Sequence, residues 1–169
     1  MDQRIMGQLE SGDAEWLEIY TERLSAHGRS VRNDARLSDP QVTVKRRSPV
    51  CGSTITLDLN RDGDIITEIG FAVRACALGQ AGTSILASVL PGRSVSEAIQ
   101  IRDAVQSMLT SPEASLPGGI WQDLELLLPA RDLRSRHGSV MLPFDAVVEA
   151  IERSDKAIEG RPDQPDQSG

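Results

Sequence analysis

Two cysteines, Cys51 and Cys76, and two histidines, His27 and His137, are the side chains of this chain best suited to soft-metal or nucleophilic chemistry. Cys51 sits in Ser48-Pro49-Val50-Cys51-Gly52-Ser53, just ahead of an alternating run. Pro49 stiffens the approach and Gly52 permits an unusual backbone angle, so the sulfur can be held on a loop at a strand end. The plainer reading is a small buried apolar residue, because free cysteine is among the most buried types. Cys76 follows Phe71-Ala72-Val73-Arg74-Ala75 and opens a helical run of small residues. Its sulfur then lies near first-turn N–H groups, which favour thiolate, and Arg74 acts in the same direction. That environment makes a nucleophile or a metal ligand; packing beneath the helix start accounts for the residue equally well. His137 lies in the polar stretch from Arg131 to Ser139, where a lone histidine is ordinarily solvated. Its interest depends on meeting the two cysteines in space. His27, beside Gly28, has a structural account as a partner of the last carbonyls of a helix. GxGxxG, Walker A, HExxH and GxSxG patterns are absent, so those nucleotide-binding and hydrolase signatures are missing.

The elements that must carry these residues show in the hydrophobic periods. Residues 13–26 read as a helix capped by Asp13, with Trp16, Leu17, Tyr20 and Leu24 on one face and Gly28 as its stop. Three strand-like runs follow at 41–46, 53–60 and 65–73. The second puts Ile55, Leu57 and Leu59 on one face; the third puts Ile65, Ile69, Phe71 and Val73 together. The turn Arg61-Asp62-Gly63-Asp64 between them predicts an antiparallel hairpin. The period then changes. Residues 76–90 form the small-residue helix, and 94–109 open with the capping pattern Ser94-Val95-Ser96-Glu97, with Ala98, Ile101, Val105 and Met108 on one face. A short helix spans 121–127, and a last one starts at Pro143, with Phe144, Val147, Val148 and Ile151 at helical spacing. Strands first and helices afterwards predict an α+β fold: a small three-stranded antiparallel sheet followed by helices packed on one face.

Composition narrows the classes. The chain has 169 residues, room for one ordinary domain. We expect a flexible N-terminus over 1–12, one domain over 13–157 and a disordered polar tail over 158–169, whose Pro, Asp and Gln cannot bury a core. With 18 Lys plus Arg against 25 Asp plus Glu, the net charge of −7 disfavours a nucleic-acid partner. An aromatic content of 3 % argues against base-stacking platforms. No apolar run approaches the roughly 20 residues of a membrane span, and the start lacks the apolar stretch of a signal peptide. The expectation is a cytoplasmic protein without a membrane partner, in which two cysteines are not a disulfide framework.

Taken in order, the motifs resemble those of the U-type iron–sulfur cluster assembly scaffolds, the NifU N-terminal, IscU and SufU family. The family's His-Tyr-x-x-Pro-Arg-Asn is echoed by His27-Gly28-Arg29-Ser30-Val31-Arg32-Asn33. Its Cys-Gly-Asp stands as Cys51-Gly52-Ser53, and its Gly-Cys-Ala with an Ala/Ser run as Ala75-Cys76-Ala77 through Thr83-Ser84. Pro129-Ala130-Arg131 and Leu142-Pro143-Phe144 resemble the segments flanking the family's third cysteine. The long stretch after Cys76 is closer to the SufU branch, and the Leu-Pro-Pro-Val-Lys docking motif of the IscU branch is absent. The resemblance covers roughly Tyr20 to Ile151, about the size of one domain.

The resemblance implies a non-enzymatic scaffold. It would bind iron and a transient [2Fe–2S] cluster, with zinc as the other candidate metal, receive sulfur from a cysteine desulfurase and pass the cluster to acceptor or carrier proteins. The ligands implied are Cys51, Cys76 and His137. The family's aspartate position is Ser53 here, and its third cysteine falls at Gly138 or Ser139; hydroxyls are poor ligands for such a centre, and Asp132 has no support as a fourth. Two other functions share the fold: a SufU-like sulfur relay accepting persulfide on one thiolate, with Cys76 favoured, and a metal-free adaptor.

Overall fold

The computed structural model describes residues 11–159. Helix α1 (Ser11–Ser30) leads into strands β1 (Val42–Arg47), β2 (Thr54–Asp62) and β3 (Ile65–Arg74). Helices α2 (Ala77–Val89) and α3 (Val95–Thr110), a 3-10 segment (Gly119–Asp132) and helix α4 (Arg134–Glu159) follow. The sheet is antiparallel throughout, in the order β1-β2-β3, and β2 and β3 form the expected hairpin. Helix α4 crosses β1 and β2 and packs on α2 and α3. Val44, Ile55, Leu57 and Leu59 of the sheet meet Ile85, Phe144 and Val147 of the helices in one buried core. Burial of this kind is worth about 1.5–3 kcal/mol for each large apolar side chain.

One strand departs from simple alternation. Ile65 was expected inward, yet it is 44 % exposed and its neighbour Ile66 is fully buried. The cause is a bulge: Asn60 pairs with Glu68 but Arg61 pairs with Ile66, leaving Thr67 as an extra residue. An extra residue flips every side chain beyond it to the other face.

The outer face of the sheet holds a buried carboxylate. Asp58 takes Arg36 Nε at 2.7 Å and Nη2 at 3.0 Å, Thr43 Oγ1 at 2.6 Å and the Leu37 N–H at 3.0 Å. Its strand partner is Gly70, where a Cβ would stand 2.7 Å from Leu37 N and 2.9 Å from Asp58 Oδ2. Glycine here lets the segment after α1 lie against the sheet, with Ala35 bridging to Phe71.

Three helix boundaries differ from expectation. Helix α1 is already formed at Ser11 and runs to Ser30, so Asp13 is not its cap and Gly28 does not stop it. Leu17 is 53 % exposed; Tyr20 and Leu24 form the inward face, Tyr20 donating to the Leu126 carbonyl, and the Trp16 side chain lies outside the described residues. Helix α4 starts at Arg134, and Pro143 lies inside it. Proline lacks the N–H that would bond the carbonyl four residues back. That carbonyl belongs to Ser139, and it faces Gly79 of α2. The Ser94 cap is as expected, accepting from the Glu97 N–H, while the Glu97 carboxylate turns to Arg93 and Trp121. Ser11, Gly12, Ile158 and Glu159 are helical, and the rest of the expected flexible ends lies outside the described residues.

Candidate metal and thiol site

Cys51 and Cys76 come together at one end of the sheet. The Ser48–Ser53 turn is closed by Ser48 N–H to the Ser53 carbonyl at 2.8 Å and Gly52 N–H to the Ser48 carbonyl at 2.9 Å. Gly52 takes a φ of +72°, which a side chain rarely adopts, and this aims Cys51 outward from the start of β2. Cys76 is the N-cap of α2, at the end of β3. Between the two sulfurs stand the hydroxyls of Ser53 and Ser139, 3.0 Å apart. Ser53 Oγ is 3.2 Å from Cys51 Sγ, and Ser139 Oγ is 3.3 Å from Cys76 Sγ.

Two glycines let the elements close this tightly. A Cβ on Gly79 would meet Ser139 Oγ at 2.8 Å, so α2 and α4 reach this approach only with glycine there. A Cβ on Gly138 would meet Ser48 Oγ at 2.7 Å, and Ser48 is itself 3.3 Å from Cys51 Sγ.

The result is a layered site. The thiols form its rim, Cys51 exposed and Cys76 half-buried, while Ser53 and Ser139 form a buried floor. Both thiols are acidified. The hydroxyls of Ser48 and Ser53, then the Ser53 N–H, bring Cys51 from 9.0 down to about 6, against a small opposing effect of burial and with help from Ser139. Burial pushes Cys76 up, but the Ser139 hydroxyl, the Gly79 and Leu78 N–H groups at the helix start and the Arg136 charge outweigh it and leave it lowered. The sequence argument for Cys76 named the helix start and Arg74. Arg74 is instead paired with Asp34 at 2.9 Å, and Arg136 provides the charge.

His137 is not brought to this cluster. Its Nε2 lies 2.9 Å from the Ala130 carbonyl and 3.0 Å from that of Arg131, closing the turn into α4. Asp132 is not there either: among the described residues no three His, Cys, Asp or Glu side chains gather as a metal-binding group. His27 does not serve its helix end. Its Nδ1 is 2.7 Å from Ser84 Oγ and its Nε2 is 2.9 Å from Asp123 Oδ2, tying α1 to α2 and to the 3-10 segment. The order Asp–His–Ser matches a nucleophile relay, but Ser84 is mid-helix and buried, and its hydroxyl already meets Ser30 Oγ at 2.6 Å. The sequence reading missed the serines as acidifying partners. Glycines beside the cysteine and third-donor positions, Gly52, Gly79 and Gly138, were the available signal.

The NifU-like N terminal domain profile matches residues 19–126. The chain belongs to the NifU-like N-terminal domain family. This NifU-like chain is 27 % identical over 139 residues to the iron–sulfur cluster assembly scaffold protein IscU of Streptococcus pyogenes serotype M1, covering 82 % of this chain and 86 % of that protein. The crystal structure of a nitrogen-fixing NifU-like protein (N-terminal) from Brucella abortus is 33 % identical with a TM-score of 0.75, covering 82 % of this chain and 95 % of that one. The SUF-system protein FiSufU from Fervidobacterium islandicum AW-1 shares the fold, with a TM-score of 0.69 at 18 % identity over 79 % of this chain and 97 % of that one. No helix among the described residues is long and apolar enough to cross a membrane. Of Gly138 and Ser139, it is Ser139 whose side chain faces Cys76.

Proposed function

We propose that this chain is an iron–sulfur cluster assembly scaffold that holds iron and sulfide transiently at Cys51 and Cys76. The observation that carries this is the convergence of two acidified thiols, 25 residues apart in sequence, on the paired buried hydroxyls of Ser53 and Ser139. Thiolates are the preferred donors for cluster iron, and a [2Fe–2S] centre takes four. The chain supplies two thiolates, and the two remaining positions carry hydroxyls, so its own residues fit half of such a centre. Cys51 and Cys76 would hold such a cluster at the rim of the site, and the donors the chain does not supply would leave it open to exchange with an acceptor. In this reading a cysteine desulfurase is the sulfur source and an acceptor protein the recipient, in the cytoplasm, and the scaffold itself catalyses no turnover.

The test is iron and acid-labile sulfide content after anaerobic purification with a small thiol present throughout. Iron and sulfide in equal amounts, with a visible charge-transfer band lost in Cys51→Ser and in Cys76→Ser, is the expected result. Zinc alone, or no metal, overturns it.

The exposure and acidity of Cys51 also favour a sulfur relay, on Cys51 rather than Cys76. Its thiolate would attack the terminal sulfur of a desulfurase persulfide, forming a new S–S bond while the desulfurase thiolate leaves. One sulfur added to Cys51 in the absence of iron, seen by mass spectrometry, marks that route; an unmodified chain removes it.

A further inference from the structure

The arginines of this acidic protein fall into two groups. Those over most of the surface are held by carboxylates, as Arg23 is by Asp123, Arg61 by Asp155, Arg93 by Glu97 and Arg102 by Asp145. Arg131 is held by the carbonyls of Met108 and Ala114, whereas Arg29, Arg32, Arg47, Arg134 and Arg136 are exposed and have no carboxylate within ion-pair distance among the described residues. Two of them, Arg47 and Arg136, lie beside the thiols, and two more, Arg29 and Arg32, line a groove that reaches the residues flanking Cys76. Arg47 reaches over Gly52, its Nη2 3.9 Å from where a Cβ would stand next to Cys51. Arg136 lies one turn before Ser139 on α4. Arg29 and Arg32 line an open groove of about 820 Å³ together with Arg74, Gln80 and the two residues flanking Cys76, Ala75 and Ala77.

Charge, size and donor chemistry then agree. Guanidinium groups without a carboxylate partner among the described residues favour an anionic ligand at this face of a protein of net charge −7. The groove has the volume of a small-molecule site, which is roughly 300–1,000 Å³. The two positions filled by serine lack soft donors, and hydroxyls do not replace thiolates for iron.

We propose that this arginine-bordered face binds a small thiol carrying carboxylates, which supplies the donors that Ser53 and Ser139 do not. Its carboxylates occupy the groove at Arg29 and Arg32, and its sulfur reaches the open side of the site beside Cys51 and Cys76. The donor role rests on the scaffold reading above; recognition of the anion does not.

The first arm of the test uses the metal-free protein and two disulfide probes, oxidised glutathione, which bears carboxylates, and neutral 2-hydroxyethyl disulfide. A protein thiolate attacks one probe sulfur, the probe S–S bond breaks, a mixed disulfide forms and the released thiolate takes up a proton. The measurement is the ratio of the two rates. Arg29→Glu with Arg32→Glu should lower that ratio about tenfold or more. The milder pair Arg29→Gln and Arg32→Gln should lower it less, in a fold verified by circular dichroism. Arg153→Glu with Lys156→Glu, roughly 21 and 25 Å along α4 from Ser139 at ~1.5 Å per residue, should leave it within about twofold. An unchanged ratio in the first variant, or an equal fall in the last, overturns recognition at this face.

The second arm supplies iron and sulfide anaerobically with either reduced glutathione or 2-mercaptoethanol as the sole thiol. The visible band should persist through gel filtration only in glutathione. Equal bands in both thiols overturn the donor role and leave the scaffold reading standing. A charge-selective exchange with no band in either thiol overturns the scaffold reading and the donor role with it.

Discussion

Strand β2 connects two buried polar sites that are built in opposite ways. At its middle, Asp58 is wholly buried and every direction around its carboxylate is filled: two guanidinium N–H groups, a hydroxyl and a backbone N–H. At its start, Ser53 shares a floor of hydroxyls with Ser139 beneath two thiols that face outward. The first site has strong donors and acceptors matched one to one, so nothing further can bind. The second has weak partners, which stabilise a thiolate without consuming it. A buried polar cluster is therefore read by what its members leave free. Saturation marks a lock, and an acidified group left at the rim marks a site for chemistry.

The lock should yield the larger effect. Asp58→Ala removes the acceptor of four hydrogen bonds and strands the Thr43 hydroxyl and Leu37 N–H, and we expect a loss of about 3 kcal/mol in urea unfolding. The contribution also has a pH signature. Burial pushes the Asp58 carboxyl up, but Arg36, Thr43 and the Leu37 N–H outweigh it and hold it below the ordinary carboxylate value. A carboxyl lowered in the folded state stabilises the fold above its unfolded pKa, and that stabilisation fades as pH falls through the folded one. The wild-type protein should therefore lose this increment as pH drops below about 4, and Asp58→Ala should show a shallower decline there. Thiol reactivity at Cys51 should be the same in both, because the two clusters share no partner. A changed Cys51 reactivity would sink the separation of the two sites.

Much of this division was legible in the residues. The alternation of Ile55, Leu57 and Leu59 announced the inner face of β2, and all three are buried. The motifs around Cys51 and Cys76 resembled a known family, and the chain belongs to it. The rest depended on three-dimensional relations that spacing does not carry. Alternation puts Asp58 on the face opposite Ile55, Leu57 and Leu59, and nothing in the sequence marks it as buried, because its partners Arg36 and Leu37 come from a segment with no period of its own. Thr67 could not be recognised as a bulge, so Ile65 and Ile66 exchanged roles. Ser53 and Ser139 read only as poor ligands, since nothing in one dimension shows that they would meet each other and acidify a sulfur.

The thiol site should respond at the level of one proton. Alkylation of Cys51, followed by mass spectrometry across pH, should show a midpoint near 6, since the neighbouring hydroxyls bring it to about that value. Ser48→Ala and Ser53→Ala each remove a hydroxyl that donates to the thiolate, and each should raise the midpoint by about one pH unit. The reactive form is the thiolate, so reactivity is present above the midpoint and lost below it. Both variants should then react more slowly at neutral pH, with unfolding transitions close to wild type. A midpoint left near 6 in both variants would show that the floor of hydroxyls does not set the chemistry.

The smallest effect sharpens the boundary of the site. His137 lies two residues from Ser139 in sequence, yet its ring closes the turn into α4 through the carbonyls of Ala130 and Arg131. His137→Ala leaves those carbonyls short of a donor in a half-buried position, which costs about 1 kcal/mol in urea unfolding. The same substitution should leave Cys51 alkylation and iron binding unchanged, because the ring supplies nothing to either sulfur. Iron binding weakened as much as by Cys76→Ser would instead mean that the turn opens and delivers His137 to the metal. In that case the third donor would come from the chain itself, and the solvent-facing half of the site would be smaller than its resting geometry shows.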